Sequence, residues 1–329
     1  MDGQRSPAPR TAQRATQNPH PAGGVGEHIV LARVMELVDI QDLKSWGSNA
    51  VPVRFRPRVN SSGDQQPQTN RIIDSHCHLD MVLERGLGVD ELTQTLVDNG
   101  VDTIVQIGAD EKAMQWARSL AHTSKTVDVY YTIGHHPGEA KSADASFGLR
   151  YIQQNKDDER FVAVGEIGLD YYYHKDEAAE QKKVFVDFVR AAREVGRGVA
   201  IHTRDAHRDT VEILQREADG LPKLIHCFTG NRAEMEEFVA IGCYISFSGI
   251  VTFKNATALQ EAALACPAER MLVETDAPFL APVPFRGKVN QPGYVRHTLA
   301  FLARLRDEDE AVLAAACLRN TQQFYQIKP

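Results

Sequence analysis

The chain has 329 residues, 43% of them hydrophobic and 25% charged, an ordinary globular balance with ample material for one large core. Five cysteines at irregular spacing argue against a disulfide framework. No uninterrupted apolar stretch is long enough to cross a bilayer, so the protein is expected to be cytoplasmic, without a membrane partner. The net charge is −7, and from Arg71 onward 29 basic residues face 38 acidic ones, which excludes the electrostatic footprint of a protein that coats duplex nucleic acid.

Residues 1–70 read as a disordered or spurious N-terminal extension. Met1 to Gly26 is rich in Pro, Gln, Ala, Thr and Arg and nearly free of large apolar residues. Ser61 to Asn70 has a similar composition and reads as a linker. Between them, Glu36-Leu37-Val38-Asp39 can be encoded by GAG-CTG-GTA-GAC and Val53-Arg54-Phe55-Arg56 by GTT-CGA-TTC-CGN. These strings resemble the D-arm and T-arm of a transfer-RNA gene. The expectation is an over-extended start, with the native one near Arg71; the nucleotides upstream of Arg71 decide it.

From Arg71 short apolar runs alternate with amphipathic stretches. The runs are Ile72–His76, Thr103–Ile107, Val129–Ile133, Phe161–Val164, Gly198–Ile201, Lys223–Ile225, Cys243–Phe247 and Met271–Val273. They are short and rich in Val and Ile, as buried parallel strands are. Helical patterns lie between and after them, at Asp90–Asp98, Glu111–His122, Glu177–Val195, Thr210–Glu217, Ala233–Ile241, Thr257–Ala265, Tyr294–Arg304 and Glu308–Tyr325. Gly100, Gly196, Gly220 and Gly242 supply helix stops. Alternating β and α over about 250 residues fits a (β/α)8 TIM barrel. No Gly-x-Gly-x-x-Gly follows a strand, which weakens a dinucleotide-binding open sheet. The expected division is thus an extension over 1–70 and one barrel over 71–329.

The chemistry stands at the ends of these runs, where barrels of this class keep their active sites. The first ends in His76 and His78, which share one face because they are two apart. Others end in Gly134-His135-His136-Pro137, Gly165-Glu166, His202-Thr203-Arg204-Asp205, His226-Cys227 and Glu274-Thr275-Asp276. Four imidazoles and two carboxylates on one rim suit a pair of divalent metals. The expected arrangement gives His76, His78 and Asp276 one ion and His202 and His226 the other. Glu166, with two oxygens, bridges them. Six protein ligands for two ions leave positions for water and substrate.

Weaker expectations attach to neighbours. Arg204 is read as a phosphate contact or as a salt-bridge partner of Asp205 or another rim acid. His135 is read as a substrate contact or as a turn histidine before Pro137. Asp170 is placed to orient a metal-bound histidine. Tyr171, Tyr172 and Tyr173 offer a stacking surface or loop packing. Cys77 and Cys227 should be core. The proline-stiffened stretch Asp276–Lys288 carries Arg286, read as a phosphate grip or as part of a solvated cap.

Asp74-Ser75-His76-Cys77-His78-Leu79-Asp80, Gly165-Glu166-Ile167-Gly168-Leu169-Asp170-Tyr171, His202-Thr203-Arg204-Asp205-Ala206, His226-Cys227-Phe228-Thr229-Gly230 and Glu274-Thr275-Asp276-Ala277-Pro278 together resemble the TatD family of metal-dependent deoxyribonucleases. Pro284-Phe285-Arg286-Gly287-Lys288, with Asn290 and Pro292, matches too. The resemblance runs from about residue 71 to the C-terminus. It implies an amidohydrolase-like barrel, divalent metal (Mg²⁺, Mn²⁺ or Zn²⁺) at His76, His78, Glu166, His202, His226 and Asp276, and exonuclease action on DNA, mainly single-stranded and from the 3′ end. The expected reaction is phosphodiester hydrolysis by a water that metal has acidified, with Asp276 taking the proton. The alternative is amide or ester hydrolysis of a small molecule, which the same ligands serve equally well. DNA is the only macromolecular partner expected.

Overall fold

A computed structural model describes residues 71–141 and 144–328. The expected extension over 1–70, with its transfer-RNA reading, lies outside the described residues.

Eight parallel strands follow one another around a ring: β1 (Ile72–Cys77), β2 (Val101–Gln106), β3 (Asp128–Ile133), β4 (Phe161–Asp170), β5 (Gly198–Arg204), β6 (Lys223–Ile225), β7 (Cys243–Phe247) and β8 (Met271–Val273). Helices pack between and around them, giving a TIM barrel. Closure falls on the segment after β8. Cys77 bridges Ala277 in parallel, His78 N donates to Ala277 O at 2.8 Å, and Asp276 N donates to His76 O at 3.0 Å.

The apolar side chains form two shells. The larger lies between strands and helices and includes Ile104, Tyr131, Ile133, Ile201, Phe185 and Phe188. The smaller joins Ile73, Val105, Val162, Leu224 and Leu272, which come from strands on opposite sides of the ring and therefore meet inside it. Phe324, Tyr325 and Ile327 belong to this inner cluster. The C-terminal helix Glu310–Tyr325 thus plugs the barrel below the strand ends that carry polar residues, and Tyr325 Oη donates to Ser75 O at 2.8 Å.

Two α-helices among the described residues have no counterpart among the expected ones: Leu79–Glu84, a short helix directly after His78, and Ala145–Gln154, whose pattern Gly148 interrupts. Gly100, Gly196, Gly220 and Gly242 all hold positive φ, as helix stops should.

The largest departure is β4. It runs six residues beyond Val164, so Glu166 sits inside the strand and not after it. The apolar alternation continues past the acid, because Ile167 and Leu169 are fully buried on the helix side. β4 pairs with β5 in two stretches, Ala163–Val164 against Gly198–Val199 and Ile167–Asp170 against Ile201–Arg204. The register breaks between them, at Gly165 and Glu166. That break turns Glu166 inward among polar groups. It is made possible by Gly134 after β3, where any Cβ would collide with the backbone of Gly165 and Glu166.

Candidate metal centre

Glu166 stands in the middle of the mouth, and its two oxygens face different partners. Oε2 lies 3.5 Å from His76 Nε2 and 3.7 Å from His78 Nε2. Asp276 Oδ1 lies 3.7 and 3.6 Å from the same nitrogens, which are 3.3 Å apart. Oε1 lies 2.8 Å from His202 Nδ1 and 2.8 Å from His226 Nε2, and these two nitrogens are 3.5 Å apart. All six residues expected to hold metal are brought together, in the two groups expected, around one carboxylate.

The first group passes a geometric test for an ion. All five of its separations exceed the 2.7–3.2 Å of a hydrogen bond. A metal bonded at about 2.1 Å in a tetrahedron spaces its ligand atoms by roughly 3.4 Å. The observed 3.3 to 3.7 Å matches that edge. His76, His78 and Asp276 form one cluster able to hold a cation.

The electrostatics are those of an acid among bases. Burial works against the Glu166 charge, but His226, His136 and His202 outweigh it and hold the carboxyl well below its usual range. Burial likewise opposes ionisation of Asp276, yet His78 at 3.6 Å and the neighbouring His76 and His226 keep its pKa low. The Asp170 carboxyl, also opposed by burial, is held near 2 by His202 and by the Tyr173 amide. Its Oδ2 lies 3.3 Å from His202 Nε2, the orienting contact expected of it.

Two acting groups escape a reading from sequence. One is Glu274, fully buried, whose Oε1 accepts from Cys227 N at 2.7 Å and lies 3.4 Å from His226 Nδ1. Its Oε2 has no hydrogen-bond partner, and neither do His76 Nδ1 and His226 Nδ1. The rings of His76 and His226 stack at 3.9 Å, so this acid sits behind two imidazoles whose Nε2 atoms face the cluster. Such a carboxylate fixes the tautomer of a ligating histidine. The signal was available: Leu272, Glu274 and Asp276 share a period of two.

The other is His136. The structure turns the expected substrate contact, His135, away from the mouth. His135 Nε2 hydrogen-bonds Glu139 O at 3.0 Å, and its ring packs 6.0 Å from Phe188. His136 takes the inward place, with Nε2 3.6 Å from Glu166 Oε1 and its ring edge-on to His202 at 4.8 Å. His136 Nδ1 accepts from Gly138 N at 3.0 Å, so the proton sits on Nε2 and makes it a donor, not a ligand. Burial pushes its pKa down to about 4, which keeps the ring neutral.

Arg204 is exposed and makes no ion pair with Asp205 among the described contacts; its guanidinium lies over Tyr172 at 4.3 Å and Tyr173 at 4.8 Å. Arg286 is exposed and lies 3.9 Å over Phe253, and no contact among the described residues joins it to the carboxylate cluster. Cys77 is core, whereas Cys227 is only partly buried, its Sγ 3.3 Å from Ser248 Oγ. A positive φ at Cys227 puts it on the turn that leaves β6, which is why it does not join the core.

Residues 73–326 match the family model described as TatD related DNase. Over 259 residues the chain is 35% identical to an uncharacterized metal-dependent hydrolase, YcfH of Escherichia coli K12, an alignment covering 78% of this chain and 96% of that protein. It is 34% identical over 244 residues to a Shigella flexneri protein named 3′-5′ ssDNA/RNA exonuclease TatD, covering 72% of this chain and 93% of that one. Among solved structures, YJJV, a TatD homolog from E. coli K12, superimposes with a TM-score of 0.72 at 28% identity, covering 79% of this chain and all of the other.

Proposed function

The chain belongs to the TatD-related family of metal-dependent hydrolases, and from that premise we propose that it cleaves DNA phosphodiester bonds as a 3′–5′ exonuclease preferring single strands. The functional unit is the barrel of residues 71–329. The observation that carries the reading is the pair of ligand groups sharing Glu166, together with the exonuclease name of the Shigella relative. His76, His78 and Asp276 would hold one divalent ion and His202 and His226 the other, with Glu166 serving both groups; Mg²⁺, Mn²⁺ and Zn²⁺ all suit these donors.

Bound there, the ions supply Lewis acidity and neutralise phosphate charge. The protein's own groups do the rest. Asp276, ionised and at the cluster, takes the proton of the attacking water. His136 donates its Nε2–H to a phosphoryl oxygen, in a site where one such bond strengthens as charge develops. Glu274 and Asp170 hold His226 and His202 in orientation. Arg204, and Arg286 farther along the rim, meet phosphates of the strand. Phosphate-reading groups make cleavage indifferent to sequence.

The test is a panel of end-labelled single-stranded DNA, duplex DNA, RNA and p-nitrophenyl esters. Single-stranded DNA should be shortened from its 3′ end, chelation should abolish this, and divalent metal should restore it. Turnover of the esters with DNA untouched would put a small-molecule hydrolase in its place, a reading that the surplus of acidic residues favours.

The two adjacent histidines separate in the same assay. His136→Ala should lower kcat/KM by about 10- to 100-fold, the worth of a charge-assisted hydrogen bond. His135→Ala should instead lower stability by about 1–3 kcal/mol in urea unfolding and leave kcat/KM within about threefold. The reverse pattern would return the substrate contact to His135.

A further inference from the structure

Three aromatic rings stand clearly exposed among the described residues: Tyr172 at 59%, Tyr173 at 63% and Phe279 at 39%. All three are at the mouth that holds the carboxylate cluster. Tyr172 and Tyr173 follow β4, and Phe279 follows β8. Strands four and eight face each other across an eight-stranded ring, so the rings flank the cluster from two sides.

Each group of rings carries an arginine. Arg204 lies over both tyrosines, at 4.3 and 4.8 Å, and Arg85 lies 4.8 Å over Phe279. In a chain with a surplus of acid, these arginines place positive charge beside the exposed rings. Both sites are also tied to the cluster. Asp170 Oδ1 accepts from Tyr172 N at 3.0 Å and Tyr173 N at 2.9 Å, while its Oδ2 lies 3.3 Å from His202. On the other side, Phe279 N donates to Asp276 O at 2.9 Å. The tyrosines themselves meet edge to face at 4.6 Å, and both stay more than half exposed.

We propose that Tyr172, Tyr173 and Arg204 on one side, and Phe279 and Arg85 on the other, are two stacking platforms that hold the bases of an unpaired DNA strand on either side of the bond being cut. The proposal rests on the nucleic-acid reading above and adds how the strand is held. Every base has a π-face, so such platforms accept any sequence. A duplex has its bases already paired and stacked and cannot use them, so the platforms select single strands. The guanidinium over each ring adds attraction to both the stacked base and the adjoining phosphate.

The experiment uses the metal-loaded full-length protein and short oligodeoxythymidylates, with and without abasic residues at the two 3′-terminal positions. For Tyr172→Ala/Tyr173→Ala and for Phe279→Ala, KM should rise by about 5- to 100-fold. kcat should change by less than about threefold. The abasic strand should impose the same penalty on the wild type and less on the variants, because the lost partner is shared. Tyr172→Trp/Tyr173→Trp should restore KM, since the ring and not the hydroxyl is what stacks. Unchanged KM in the ring-deleted variants, or equal KM for intact and abasic strands in the wild type, would overturn the platforms while leaving the nuclease standing. A wild type that cuts neither strand overturns the nuclease reading and the platforms with it.

Discussion

Glu166→Gln should lower DNA hydrolysis by on the order of 10³-fold, the scale seen when a group that stabilises charge in a reaction is lost. The barrel should stay folded, because the amide has nearly the carboxylate's shape. The carboxylate uses both oxygens: Oε1 meets His202 and His226 at 2.8 Å, and Oε2 faces His76 and His78. An amide keeps one acceptor and turns the other atom into a donor. Whichever way it is flipped, one of the two ligand groups meets N–H in place of a lone pair, and the negative charge that both groups share is gone. Metal content per chain should therefore fall together with turnover, while circular dichroism reports a native barrel. A variant that keeps full turnover and a full metal complement would remove Glu166 from the centre.

Gly134→Ala should be nearly as damaging by a different route. The added Cβ would fall 2.2–2.5 Å from the Gly165 and Glu166 backbone, closer than any real Cβ contact, and backbone cannot swing aside as the tip of a side chain can. Overpacking of this kind costs about 1–3 kcal/mol or more. The strain has one outlet, displacement of β4 at its register break, which carries Glu166 away from the four histidines. Stability in urea and hydrolysis should drop together. Gly88→Ala is the control: its Cβ meets nothing within 4 Å and its φ is negative, so little should change. If Gly134→Ala matches wild type in both measurements, the close approach of β3 and β4 is not what positions Glu166.

The barrel is legible in the chain because apolar runs and amphipathic stretches alternate with few exceptions. Lys223–Ile225, Cys243–Phe247 and Met271–Val273 coincide with β6, β7 and β8 residue for residue. β4 is misjudged because a charged residue ends an apolar run on paper. In the fold that residue merely points to the other face, and Ile167 and Leu169 continue the strand. The six clustered side chains are foreseeable from their places at strand ends. Which of two neighbouring histidines turns inward is not: it depends on the Gly138 amide capturing His136 Nδ1 and the Glu139 carbonyl capturing His135, contacts that exist only once the turn at Pro137–Glu139 has formed. Glu274 is overlooked for a simpler reason. Strand eight offers two acids, and the first is hidden behind the imidazoles it serves.

The last joint of the barrel is made by the backbones of His76, His78 and Asp276, with Asp276 N donating to His76 O and His78 N to Ala277 O. Their side chains are the three assigned to one ion. On that assignment a cation there acts as a rivet through the hoop's final overlap, linking chain ends some two hundred residues apart in sequence. Loss of the ion and parting of the hoop become one event, so amide exchange along β1 should slow when the ion is present and quicken when it is withdrawn.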